Sequence, residues 1–344
     1  MRPSLLEHLC CPACRAPLKL GEVKVDGGWI EEGSLTCTGC ALVYGIEYGV
    51  PNFVEPRGRA DVQQTTSGFA RNWNAFNDII LEDEKLNDEL FRDWILPMDP
   101  EVMRGKIVLE PGCGMGRWLR VAATYSPKIL IGLDYSEVAY TAGRNTKDLE
   151  NVHVVRADIL RMPLKTKIEL TYCLGVVHHT PEPSRTFDAL VEAMSPAGAM
   201  CVWVYGKENN GWIHNFVTPM REHVTSRLPH GLLNVMSKVL AAQLYLMAGA
   251  YKLGLEKLGM PYADYLRYLR RYPFRYMEHI VYDHLVPQIA HYHSGPELEG
   301  WAKKNKLQYL LSPRNNNSWR LHVAWSQAQL PGKAEPAAGL RAEA

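Results

Sequence analysis

Apolar positions follow two rhythms along the chain. Between Lys106 and Tyr205, short apolar runs alternate with helical stretches. Ile107–Leu109, Ile129–Leu133, Val152–Arg156, Ile168–Cys173 and Ala199–Tyr205 read as strands, and Gly116–Thr124, Glu137–Asn145 and Ser184–Met194 as helices. Strands apolar on both faces, each followed by a helix, predict a parallel sheet covered on both sides. Residues 207–290 interrupt this alternation with a long, largely helical insertion. It then resumes with a helix at Pro296–Lys304 and strand-like runs at Gln308–Leu311 and Trp319–Trp325. Upstream, a helical stretch from Phe69 to Leu96 ends before Pro97, whose ring cannot continue a helix. Residues 1–55 carry short runs, Val23–Val25, Gly33–Thr36 and Leu42–Ile46, that suit a small β-ribbon.

The expected fold class is α/β: a doubly wound sheet with a helical cap insertion and a small N-terminal β domain. The expected boundaries are 1–55 for the ribbon, 56–104 for a linker and helical extension, and 105–206 for the sheet core. They continue with 207–290 for the insertion, 291–328 for the end of the core and 329–344 for a disordered Ala/Pro/Gly tail. Residues 56–68, poor in apolar side chains, read as the linker.

The most apolar helical stretch lies between Lys238 and Lys252, with thirteen residues between those charges. A membrane span needs roughly 20 apolar residues, so a buried or at most interfacial helix is expected, with no transmembrane segment. With no secretory leader legible at the N-terminus, a cytoplasmic location is expected. Formal net charge is +1, from 38 basic and 37 acidic side chains. That balance gives no electrostatic case for nucleic acid, so none is expected as a partner. A homodimer remains open.

Four of the eight cysteines form two Cys-x-x-Cys pairs, Cys11/Cys14 and Cys37/Cys40; Cys10, Cys113, Cys173 and Cys201 show no pairing pattern. Two such knuckles supply the four thiolates of a closed tetrahedral zinc site, which leaves no open position for catalysis. A module of about 50 residues builds little core, so Zn²⁺ would supply folding energy. The segment Leu5–Cys14, with Gly45–Val54 after the second knuckle, resembles the small zinc-ribbon activator subunit of tRNA and protein methyltransferases.

Val108-Leu109-Glu110-Pro111-Gly112-Cys113-Gly114-Met115-Gly116 is a strand, a glycine-rich turn and a helix start. Such a loop lets backbone approach a ligand without a Cβ clash, and its spacing alone also fits NAD. No Lys-Ser/Thr ends it, which excludes a triphosphate loop. Asp134 closes the next strand, Asp158-Ile159 follows the third, and Leu174-Gly175-Val176-Val177-His178-His179-Thr180 follows the fourth. In this order the landmarks resemble the Rossmann-like core of class I S-adenosylmethionine-dependent methyltransferases of the ubiquinone/menaquinone type. The resemblance implies that Glu110, Gly112, Gly114 and Gly116 flank the methionine half of S-adenosylmethionine. It implies Asp134 and Tyr135 at the ribose, Asp158 and Ile159 at the adenine, and Leu174 beside them. Glu169 departs from the Asp that the family usually has there. Ser67–Phe76 resembles an element that packs over the cofactor in some members, through Phe69 and Trp73. An amphipathic helix docked on the sheet is the alternative.

Methyl transfer needs alignment, a dry pocket and often a base. Candidate bases are His178 and His179, after the fourth strand, and His291, in a cluster with Tyr282, Asp283, His284, Tyr292 and His293. Each is also readable as a packed or surface histidine. The aromatic run Tyr262, Tyr265, Tyr268, Tyr272, Phe274 and Tyr276 reads as helix packing. The expected function is transfer of a methyl group to a hydroxyl, amine or carboxyl of a small-molecule metabolite or sugar precursor. The alternatives are an RNA or translation-factor methyltransferase with its activator in cis, a non-catalytic cofactor-binding scaffold, and other chemistry on the same fold.

Overall fold

In a computed structural model, the structure describes residues 1–55, 60–211, 213–251, 266, 269, 272–315 and 317–332. Four short strands, β1 (Leu18–Asp26), β2 (Trp29–Cys37), β3 (Val43–Glu47) and β4 (Val50–Pro51), form an antiparallel sheet in that order. The second sheet has seven strands: β5 (Ile107–Pro111), β6 (Ile129–Asp134), β7 (Val152–Arg156), β8 (Ile168–Leu174), β9 (Met194–Tyr205), β10 (Gln308–Arg314) and β11 (Ser318–Ala324). Their order is β10-β11-β9-β8-β5-β6-β7. Strands β5 to β9 are parallel, and the β10–β11 hairpin enters antiparallel, so the sheet is mixed at one edge. The order reverses between β5 and β8, and the crevice outside their carboxyl ends is where such sheets bind ligands.

Three helices precede the sheet: α1 (Ala60–Ala75), α2 (Asn77–Glu82) and α3 (Glu84–Ile95). The single helix expected over Phe69–Leu96 is thus three, and the expected linker is helical from Ala60 onward. Its polar residues lie on a helix whose inner positions, Thr65, Gly68, Ala70 and Asn72, are small or hydrogen-bonded rather than apolar. Gly68 lets α1 approach closely, since a Cβ there would meet Val286 at 2.0 Å. Helices α4 (Arg117–Ala123), α5 (Val138–Asn145) and α6 (Pro183–Ala193) are the crossovers of the parallel sheet. In the insertion lie α7 (Thr218–His223), α8 (His230–Tyr251) and α9 (Phe274–Leu285), and α10 (Gly295–Lys304) leads into β10. Tyr262, Tyr265 and Tyr268, residues 56–59 and the tail from 333 lie outside the described residues.

Buried residues of α1, α2, α8 and α9 form one apolar cluster, which carries the helical layer over the sheet. The α8 stretch, expected to be buried or at most interfacial, is only partly buried: 22% of the window within His230–Gly249 is buried. It is the one helix among the described residues long and apolar enough to cross a membrane, by length and composition.

The N-terminal sheet docks on the β7 edge. Asn52 bridges Arg156 in parallel, and the Phe53 N–H donates to the Arg156 carbonyl at 2.8 Å. The Cys10 N–H donates to the Pro163 carbonyl at 2.9 Å, and Lys165 N–H to the His8 carbonyl at 3.0 Å. Arg15 donates to the carbonyls of Met162 and Leu164. Leu5, Leu9, Leu35 and Ile46 of the ribbon join the same core cluster as Leu133, Val155 and Leu164. The ribbon therefore covers an edge that would otherwise present unpaired backbone.

Candidate active site

The glycine loop after β5 is held in its curl by three positive φ angles, +70° at Gly112, +53° at Gly114 and +86° at Gly116. A Cβ on Gly112 would lie 2.2 Å from the Val176 side chain. Gly116 faces Ala142 of α5, so its role is helix packing, and it does not line the cleft. The Gly114 N–H donates to Asp134 Oδ2 at 2.9 Å, while Asp134 Oδ1 accepts from the Ser136 N–H and hydroxyl at 2.8 and 2.7 Å. Burial raises the Asp134 carboxyl above the usual range, and these donors oppose the shift.

A cleft of about 1070 Å³ runs from this loop along the carboxyl ends of the parallel strands. At one end lie Asp134, Tyr135, Asp158 and Ile159; Gly112, Gly114, Leu174 and Val176 form its floor. Asp158 Oδ1 accepts from the Leu160 N–H at 2.8 Å, capping a short turn. Phe69 and Trp73 of α1 form its roof, with Trp73 over Gly114, where a Cβ would come within 3.8 Å of the indole. Tyr272, Tyr276, His279, Asp283 and His284 close the far side, beside Trp203 and Tyr205 of β9. The ribbon residues Pro12, Ala13, Val43, Tyr44 and Phe53 also reach the cleft wall.

Glu110 lies outside this wall. It is 2% exposed under the loop, accepts from the Tyr172 hydroxyl at 3.0 Å, and burial holds its carboxyl well above the usual range. Glu169 turns aside to accept the Ile107 N–H at 2.9 Å, across β5 and β8.

The three candidate histidines separate. His178 is fully buried, with neither ring nitrogen hydrogen-bonded, and its ring lies 3.9 Å from that of Tyr205. It is a packing residue beneath the site. His291 sits outside the main cleft, in a shallow pocket with His293 and Glu297, and its N–H donates to the His178 carbonyl at 2.8 Å. His179 alone lines the main cleft. Its Nδ1 lies 2.7 Å from the Ile289 carbonyl, which can only accept, so Nδ1 carries the proton and Nε2 is the basic nitrogen. Burial lowers its pKa to about 3, so the ring is neutral. Asp283, which sequence reading gave no separate role, is in the wall too. Asn72 donates to it, His279 Nε2 lies 3.7 Å away, and burial raises its pKa to about 7. Its distance from the glycine loop in sequence left no signal beyond the histidine-rich cluster around it.

In the ribbon, the sulfurs of Cys11, Cys14, Cys37 and Cys40 lie within 4.8 Å of one another. Sulfurs about 2.3 Å from one tetrahedral ion are about 3.8 Å apart; the Cys11–Cys40 and Cys14–Cys37 separations are 3.7 and 3.4 Å. The N–H groups of Gly39 and Cys40 point to the Cys37 sulfur, and Tyr44 Oη lies 3.1 Å from the Cys11 sulfur, an outer layer of donors suited to thiolates. Cys10 is buried and stands apart from the cluster.

Residues 108–198 match the family model described as Methyltransferase domain, and residues 2–49 that described as Trm112p-like protein. The chain joins a class I S-adenosylmethionine-dependent methyltransferase domain to a Trm112p-like zinc ribbon. The methyltransferase domain is similar to several curated proteins. The Oryza sativa subsp. japonica cycloartenol-C-24-methyltransferase 1 is 26% identical over 39% of this chain and 39% of its own length. The Desulfotalea psychrophila tRNA U34 carboxymethyltransferase is 21% identical over 30% and 34%. The Neisseria meningitidis ubiquinone biosynthesis O-methyltransferase is 24% identical over 38% and 56%. The chain thus spans less than two thirds of each of these relatives. The tRNA relatives conflict with the expectation of no nucleic acid, because charge balance constrains the surface total and not what a methyltransferase domain accepts.

Proposed function

We propose that the methyltransferase domain transfers the methyl group of S-adenosylmethionine to a hydroxyl, amine or carboxyl of a small-molecule acceptor held in the main cleft. The observation that carries this reading is one continuous cleft of about 1070 Å³ joining the Asp134–Asp158 end to the aromatic wall of α9 and β9. Ligand pockets commonly measure about 300–1,000 Å³, so this one has room for a cofactor and a second molecule. The glycine loop would hold the methionine half, Asp134 the ribose hydroxyls and Asp158 the adenine amino group. When bound, the cofactor supplies an electrophilic methyl on a sulfonium. Phe69 and Trp73 exclude water, and His179, neutral with Nε2 unprotonated, orients the acceptor by accepting its hydrogen bond. With a pKa of about 3 it positions the attacking atom, and the proton leaves to solvent after methyl transfer. The four cysteines hold a structural zinc ion. A second reading, an RNA or translation-factor acceptor, draws support from the ribbon residues at the cleft wall, such as Val43 and Tyr44.

The test has two parts. Calorimetry should show binding of S-adenosylhomocysteine by the full chain. Labelled cofactor incubated separately with a metabolite extract and with total RNA should place label in the small-molecule fraction. Label confined to RNA would favour the second reading, and absence of cofactor binding would remove both.

A further inference from the structure

Arg117 and Arg221 are buried, and among the described residues neither is paired with a carboxylate. Arg117 is 6% exposed and lines the cleft. Its guanidinium is fixed by neutral groups: Nε donates to Asn87 Oδ1 at 2.7 Å, Nη1 donates to the Tyr276 hydroxyl, and the Trp118 ring lies 4.0 Å away. Asn87 is itself anchored to the Ile80 carbonyl at 2.6 Å. Nη2 has no partner. The charged and titratable groups nearby do not neutralise it. His279, across from it on α9, is held neutral by burial, its pKa about 3. Asp283 is tied to Asn72, and Glu110 to Tyr172 on the other side of the loop. Arg221 is 1% exposed, and its Nε and Nη2 are without partners; its charge helps to lower the pKa of both His179 and His284.

A buried cation without a counter-charge is costly, and proteins keep one where a ligand completes it. A guanidinium held in a fixed plane matches the paired oxygens of a carboxylate or phosphate. We infer that Arg117 is the receptor for an anionic group, carboxylate or phosphate, on the methyl acceptor. This rests on the reading of the cleft as a joint cofactor and acceptor site. The negative ends of that site, Asp134 and Asp158, lie at the cofactor end, whereas Arg117 is braced by α3 and α9. The Arg117-bound group anchors the acceptor, and a different atom of that molecule receives the methyl.

The test uses the full chain and two anionic probes, benzoate and inorganic phosphate, added to protein saturated with S-adenosylhomocysteine and followed by tryptophan fluorescence, since Trp118 stacks on the guanidinium. At least one probe should bind saturably. Arg117→Gln should weaken it about ten- to hundredfold, and Arg117→Lys should retain part of the affinity. S-adenosylhomocysteine affinity, by calorimetry, should stay within about twofold in both variants. Thermal melts and the lysine variant separate a lost charge from a lost fold. If neither anion binds the loaded wild-type protein, the inference fails while the cofactor reading stands. If Arg117→Gln costs about tenfold in S-adenosylhomocysteine affinity, the charge serves the cofactor's own carboxylate and the inference is overturned. If the wild-type protein does not bind S-adenosylhomocysteine, the underlying reading falls first.

Discussion

The Gly114 N–H and Asp134 Oδ2, 2.9 Å apart, tie the turn after β5 to the end of β6. One carboxylate thereby shapes the loop and keeps capacity for a ligand. Asp134→Ala should weaken S-adenosylhomocysteine binding by about ten- to hundredfold in calorimetry, the usual cost of a charge-assisted hydrogen bond. Unchanged affinity would show that the ribose lies elsewhere.

Gly112→Ala should be more damaging than most glycine substitutions. Its φ of +70° strains any L side chain, and the added methyl would meet Val176 at 2.2 Å. Together these cost about 2–4 kcal/mol. Chemical denaturation should register that loss together with weaker cofactor binding. A stability change under about 0.5 kcal/mol would contradict the loop geometry.

His179→Phe, which keeps a ring but removes the accepting Nε2, should reduce turnover about tenfold or more while leaving cofactor affinity intact. His178→Asn should instead lower stability, because it removes the ring packed on Tyr205 and leaves a smaller polar side chain in a fully buried position. Equal loss of turnover from both without loss of stability would reverse these roles.

Anaerobically purified protein should carry about one zinc ion per chain. Cys37→Ser or chelation should remove it and melt the ribbon, uncovering the β7 edge where Phe53 pairs with Arg156. Metal analysis finding no zinc in folded protein would refute the assignment.

Asp283 gives a pH signature. Its carboxyl titrates near 3.8 in an unfolded chain and at about 7 here. Between those values the native state holds a proton that the unfolded state has lost, so stability from this group is greatest at low pH and declines as pH rises to about 7. Asp283→Asn can still accept from Asn72. It should gain on the order of 1–3 kcal/mol over wild type at pH 7.5 and almost nothing at pH 4, by urea denaturation at each pH. His279 acts in the opposite sense, losing stability below about 6.5, so the difference between variant and wild type is the quantity to read. A constant difference across that range would contradict the buried carboxyl.

The parts legible in the sequence are those set by neighbours along the chain. The β5 strand and glycine turn, Asp134 closing β6 and the two Cys-x-x-Cys knuckles each depend on a few contiguous residues, because φ signs, strand ends and chelate spacing are local properties. The start of α1 at Ala60 was not legible, since its buried face is Thr65, Gly68 and Asn72, small and polar residues that read as a linker. Tertiary structure alone decided that Glu110 lies under the loop, that His179 rather than His178 or His291 lines the cleft, and that Arg117, Asn87 and Tyr276 meet. It also decided that α8 leaves Leu232, Val235, Val239, Tyr245, Leu246 and Met247 exposed and that the ribbon closes the β7 edge. Those facts depend on groups far apart in sequence, brought together by packing, and burial, pKa and pairing exist only once that packing is made.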